Sequence, residues 1–235
     1  MKFETHLSQF GCHIIFLHGL MKTGTSWNVS EFGLNLGIEE FFRKISSTTL
    51  VSFELSDYNS KSTEISNQIY SYLIETDQKM KRLIIVGHSV GGLYAMKLAE
   101  LYPKLVNGLI LIDIPIKSSI YLDYLKTKFN QETDLIIKNI TQSQLNNFDD
   151  LPDGQSLYQN YKLTISVHLN ILTGHSLDQM NDQLTYFKSE FDKFEYFRKL
   201  TNKNIKSEIK IYPNGSHMIH YSYPKSIIKA IQLIL

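Results

Sequence analysis

Apolar, β-rich runs recur along the chain at residues 13–17, 49–53, 83–86, 109–112, 167–172 and 208–212. Consecutive apolar positions mean that both faces of each strand are to be buried, which is the mark of a parallel sheet covered on two sides. Between most of these runs the period lengthens to that of a helix. Over 62–76, Ile65, Ile69, Tyr72 and Leu73 share one face, and 92–101 and 182–200 follow the same pattern. The last segment, 223–235, carries Pro224 near its first turn, where a missing N–H is harmless, and continues with Ile227, Ile228, Ile231, Ile234 and Leu235. The alternation predicts an α/β fold, with 1–235 forming one domain around a mostly parallel central sheet of about six to seven strands flanked by helices.

The alternation lapses after Asp113 and resumes near Ser166. Helical stretches at 121–129 and 134–140 and a turn cluster at Pro152-Asp153-Gly154 occupy the interval. At about 50 residues it is too small for a second domain, and it is read as a small helical cap inserted at about 115–165, over one end of the sheet. Its apolar residues, among them Leu125, Leu145, Phe148, Leu151, Leu157 and Tyr158, suggest an apolar pocket lining.

Composition narrows the class. With 24 Lys+Arg against 23 Asp+Glu the net charge is +1, which offers no electrostatic footprint for nucleic acid or for an anionic membrane. No apolar stretch of about 18 residues is present, so no membrane span is expected, and the run 14–17 is too short for a secretory signal. Cys12 is the only cysteine, which excludes an intrachain disulfide and a cysteine-based zinc site. A reduced, cytoplasmic protein of unspecified oligomeric state is expected, with no metal and no cofactor.

The chemistry concentrates in Leu83-Ile84-Ile85-Val86-Gly87-His88-Ser89-Val90-Gly91-Gly92-Leu93, a strand, a sharp turn and a helix with Ser89 at its apex. Such a turn strains the serine backbone and needs neighbours without bulk, which Gly87 and Gly91 supply. It exposes Oγ and aims the N-terminus of the next helix at any developing negative charge. A nucleophilic serine needs a base, and the base a carboxylate to orient it. His168, His175, His217 and His220 follow the serine in the chain. His217, in the turn-rich Tyr212-Pro213-Asn214-Gly215-Ser216-His217 after the last strand, is the preferred base, whereas His168 falls inside a strand and His220 reads as a packing or supporting residue. For the acid, Asp178 lies in the loop after 167–172; Asp113 and Asp182 compete with it. The backbone N–H of Val90 is one oxyanion donor. Leu20, following Gly19 in the loop after the first core strand, is the second, with Met21 as the alternate. His18 precedes the serine and reads as a residue that orders this loop.

These motifs resemble the α/β-hydrolase superfamily, in particular its compact single-domain serine esterases. The resemblance rests on His18-Gly19 with Ser26-Trp27, Gly87-His88-Ser89-Val90-Gly91-Gly92, Leu109-Ile110-Leu111-Ile112-Asp113, and Gly215-Ser216-His217-Met218-Ile219-His220 before Pro224, in the family's order. It implies Ser89, Asp178 and His217 as nucleophile, acid and base, and an aspartate at the place of Asp113 that is usually not the triad acid. It implies hydrolysis of a carboxylic ester or thioester of a small, largely apolar molecule. A carbon–carbon bond-cleaving enzyme or lyase on the same scaffold, or a ligand-binding protein with slow turnover, is the alternative. The chain departs from the family in its short N-terminus, which predicts that the leading antiparallel hairpin is missing or reduced to one strand. It departs also in an acid loop one residue longer than the commonest spacing.

Overall fold

The computed structural model of the chain describes residues 1–20, 22–28, 37–114, 119–152, 168–173, 206–211 and 218–235, and at 119–121, 124, 168–173, 206–211 and 219 only their backbone. The strands are β1 Lys2–His6, β2 Cys12–Leu17, β3 Ser47–Ser52, β4 Arg82–His88, β5 Val106–Ile112, β6 His168–Thr173 and β7 Lys206–Ile211. The helices are α1 Ile38–Phe42, α2 Ser62–Thr76, α3 Val90–Leu101, α4 Ser119–Gln131, α5 Leu135–Asn146, α6 Ile219–Ser222 and α7 Pro224–Gln232. The strands form one seven-stranded sheet in the order β1-β3-β2-β4-β5-β6-β7. Only β1 runs antiparallel, against β3; every other neighbouring pair is parallel.

The continuous apolar runs divide between the two faces with period two. Ile15, Leu17, Leu83, Ile85, Leu109 and Leu111 face one core layer, which α2 covers with Ile65, Ile69 and Leu73 and α3 with Tyr94, Leu98 and Ala99. Ile14, Phe16, Ile84, Val86, Ile110 and Ile112 face the other, covered by Trp27, by Ile38 and Phe42 of α1, and by Ile227, Ile228 and Ile231 of α7. Parallel pairing brings the C-terminal ends of β2, β4, β5, β6 and β7 to one edge of the sheet, where ligands bind in open α/β folds.

Among the described residues one strand, β1, precedes the parallel strands, and its Phe3 ring stacks on Tyr72 at 3.9 Å. β3 begins two residues earlier than hydropathy places it. Ser47 and Thr48 are fully buried yet polar, because the Ser8 N–H donates to the Ser47 hydroxyl and the Thr48 hydroxyl donates to Glu39. Between β5 and β6 the chain forms α4, α5 and a 3-10 turn at Phe148–Asp150. Leu125 and Leu151 of this insertion are buried against Leu93 of α3, with Leu145 and Phe148 packed around them. Those four residues hold the insertion to the body. Asp150 reinforces the junction by accepting from the Thr63 N–H at 2.9 Å and the Thr63 hydroxyl at 2.6 Å, at the N-terminus of α2. Leu157 and Tyr158 lie outside the described residues. Among those residues no helix is long and apolar enough to cross a membrane.

Candidate active site

Ser89 joins β4 to α3 with φ 52° and ψ −125°. Only one other described non-glycine residue, Asp113, has a positive φ. A side chain in this region strains the backbone by roughly 1–3 kcal/mol and persists only where its surroundings enforce it. They do so here by tight packing. A Cβ on Gly87 would lie 2.7 Å from Gly92 Cα and 2.8 Å from Ala95 Cβ, and one on Gly91 would meet the backbone carbonyls of Leu17 and His18. Both positions of the sequence motif are therefore steric requirements. The Ser89 N–H donates to the Ile112 carbonyl at 3.0 Å, so the elbow is pinned to β5. Ser89 occupies the N-cap position of α3, yet its hydroxyl makes no capping bond, and the residue is half-buried rather than sealed. The first N–H groups of α3, beginning with that of the buried Val90, are left without a side-chain cap.

The loop after β2 packs directly on this elbow. A Cβ on Gly19 would sit 3.0 Å from Ser89 Cβ and 2.8 Å from His88 Nδ1, so only glycine lets the loop come this close. Leu20 follows at once and rests half-buried on the core. His18 orders the loop as its sequence position suggests. Its Nδ1–H donates to the Gly19 carbonyl at 2.6 Å and its Nε2 accepts from the Phe53 N–H at 3.0 Å. This pattern requires the neutral ring. Burial pushes the imidazole down to about 4, against the opposing pull of the Gly19 carbonyl. A ring with both nitrogens engaged by backbone serves as structure.

A cluster of rings packs next to the elbow. His88, which precedes Ser89, lies 4.5 Å from the ring of His220, and His220 lies 4.6 Å from Trp27 and 4.5 Å from Tyr221. His88, His220 and Trp27 are almost completely buried. His220 is thus a packing residue, and it ties α6, which begins two residues after His217, to the residue before Ser89.

Asp113 continues β5 one residue beyond the pair His88 and Ile112, which places it beside Ser89 on the neighbouring strand. It is buried, with φ 47°. Asp178, His217, His175, Asp182 and Met21 lie outside the described residues. The structure brings together Ser89, Val90, Gly19 and Leu20; it also shows the His88–His220 ring contact and the strained Asp113, which the sequence motifs alone do not reveal. A histidine inside the serine motif and a second one three residues after His217 were the available signals for this contact. Among the described residues no group of three or more His, Cys, Asp or Glu is arranged to hold a metal ion.

A sequence profile of the PGAP1-like alpha/beta domain matches residues 54–205, more than half of the chain. No curated protein sequence matches the chain. Among solved structures, an esterase from a marine microorganism is 17% identical, covers 100% of this chain and 98% of its own, and superposes with a TM-score of 0.61. A putative lipase from Acinetobacter baumannii is 18% identical over 98% of this chain and 85% of its own, with a TM-score of 0.57. An epoxide hydrolase from Bacillus megaterium is 13% identical over 99% of this chain and 95% of its own, with a TM-score of 0.54. At such identities the likeness is one of fold.

Proposed function

The chain belongs to the PGAP1-like α/β-domain family of the α/β-hydrolase superfamily, and from that premise we propose that it is a serine hydrolase, cleaving a carboxylic ester or thioester of a small, largely apolar molecule through an acyl-enzyme on Ser89, His217 and Asp178. The observation that carries the reading is the strained, half-buried Ser89, with an uncapped helix N-terminus on one side and the Gly19 backbone on the other. A serine at this elbow favours esterase chemistry over the epoxide opening named for one of the structural neighbours.

His217 takes the Ser89 Oγ proton as the oxygen attacks the acyl carbon. The N–H groups of Val90 and Leu20 hold the oxyanion, each donor lowering the barrier by roughly 3–4 kcal/mol. Collapse expels the alcohol or thiol, which receives the proton from His217. Water, deprotonated by His217, then attacks the acyl-enzyme, the acid leaves and Ser89 recovers its proton. Reach is consistent with these roles. β7 lies three strand spacings from β4, about 14 Å, and the six residues from Ile211 to His217 can span about 20 Å. The acid loop leaves β6, between the other two strands. The pair α4–α5 acts as a cap over this edge.

The test is hydrolysis of p-nitrophenyl esters from acetate to dodecanoate by the wild type and by Ser89→Ala. Turnover is expected to fall by about 10⁴-fold or more in the variant, and the optimal chain length reports pocket depth. Asp178→Asn and Asp113→Asn, measured side by side, identify the acid by the larger loss. A wild type as inert as Ser89→Ala overturns the proposal.

A further inference from the structure

Lys22 stands at the rim of this site with both of its ends fixed. Its backbone N–H closes a turn onto the Gly19 carbonyl at 3.4 Å, and Gly19 is the residue whose backbone lies against Ser89. Two residues on, the Gly24 N–H donates to the Ser52 hydroxyl at 2.8 Å, anchoring the loop to the end of β3. The other end of Lys22 reaches across to α6, where its ammonium lies 5.9 Å from the centre of the Tyr221 ring. Tyr221 in turn rests edge-on against His220, and His220 against His88 beside the nucleophile. The side chain therefore runs from the Gly19 loop, which lies against Ser89, to α6, which packs on the neighbouring His88. It is exposed, and among the described residues no carboxylate lies within ion-pair distance of it. A cation held by an aromatic face and not neutralised by a neighbouring acid attracts a negative group of a ligand.

We propose that Lys22 is a specificity residue, and that the preferred ester carries a negative charge, a carboxylate or a phosphate, on its acyl or alcohol part at the end remote from the scissile bond. The inference rests on the serine-hydrolase reading and refines its substrate class: an apolar body with one anionic end. A unit charge about 8 Å from the ammonium at a partly solvated rim gains on the order of tenfold in kcat/KM.

The experiment compares phenyl butyrate with phenyl hemisuccinate, with 4-carboxyphenyl butyrate and with 4-(butyryloxy)phenyl phosphate. These arms separate an acyl-side charge from an alcohol-side charge, and a carboxylate from a phosphate. The readout is the ratio of kcat/KM for the charged ester to that for phenyl butyrate. In at least one arm the wild-type ratio is expected to fall about tenfold in Lys22→Met, to fall further in Lys22→Glu, and to be kept in Lys22→Arg; raising the salt should lower it in the wild type but not in Lys22→Met. Ratios within twofold of wild type in every arm for both Lys22→Met and Lys22→Glu overturn the proposal. Titration calorimetry of phenyl hemisuccinate and 4-carboxyphenyl butyrate into Ser89→Ala, with and without Lys22→Met, separates this claim from the hydrolase reading. Tighter binding when Lys22 is present supports its role even if wild type hydrolyses none of the esters. Equal binding, or none in either protein, removes it.

Discussion

β2 carries a buried histidine near each end, and the two ends have been put to different uses. At the N-terminal end, His13 Nδ1 lies 2.9 Å from Asp77 Oδ2 and its Nε2 lies 2.7 Å from the Thr49 hydroxyl. Thr49 meets Thr5 at 2.8 Å, and Thr5 meets the Tyr72 hydroxyl at 3.0 Å. Acid, imidazole and hydroxyl thus stand in the same order of contact as in a catalytic triad. Just past the C-terminal end, both ring nitrogens of His18 bond to backbone, and the loop it orders lies against Ser89. The end with the triad-like chain is inert, because Thr49 is completely buried in mid-strand and pairs with β1 and β2 on its two sides. A hydrogen-bonded hydroxyl becomes a nucleophile only where the backbone presents it to a substrate. Ser89, half-buried at a strained turn with glycines on either side, is placed differently.

Gly91→Ala probes the Ser89 end and has the largest expected effect. Its new methyl would meet the Leu17 and His18 carbonyls, which are backbone and cannot swing away. A stability loss of about 3 kcal/mol, together with a fall in kcat, is expected from urea midpoints and ester assays; a loss in stability with unchanged kcat would break the link between elbow packing and catalysis. Asp77→Ala probes the other end. It leaves the His13 Nδ1–H without its acceptor in the core, so a loss of about 2 kcal/mol is expected with kcat unaffected.

The smallest of these effects is a pH dependence. In the folded protein burial holds His18 at about 4, below its ordinary 6.5, so between these values the unfolded chain binds more protons than the folded one. The stability His18 contributes is therefore full above pH 6.5 and is lost as the pH falls toward 4. Burial lowers His13 as well, against the pull of Asp77, which adds a dependence of the same sign. Between pH 7 and pH 5 the wild type should lose about 1–2 kcal/mol from His18, followed by urea midpoints, and His18→Gln should flatten that part of the curve. An unchanged curve in His18→Gln would mean that the loop tolerates an imidazolium.

Most of the strand positions were legible because residues buried on both faces must be apolar at consecutive positions; β4 and β5 illustrate this with Leu83-Ile84-Ile85-Val86 and Leu109-Ile110-Leu111-Ile112. The ends were less legible. β3 starts with Ser47 and Thr48, whose burial depends on partners at Ser8 and Glu39 that no local pattern reveals. Leu125 and Leu151 of the insertion illustrate a second limit: no local pattern reveals that they dock it on Leu93 of α3.

The strand, the elbow at Ser89 and its flanking glycines, and the helix that follows were determined by the sequence itself, since their causes act within a few residues: steric room, backbone strain and apolar period. So was the structural character of His18, one residue ahead of the Gly19 carbonyl it binds. Only the tertiary structure decided what stands around them. The approach of Gly19 to Ser89, the packing of His220 on His88, the span of Lys22 to Tyr221 and the sealing of Thr49 between β1 and β2 join residues far apart in the chain. Each exists because sheet pairing and helix packing bring their strand ends and loops together, and that geometry is a property of the whole fold.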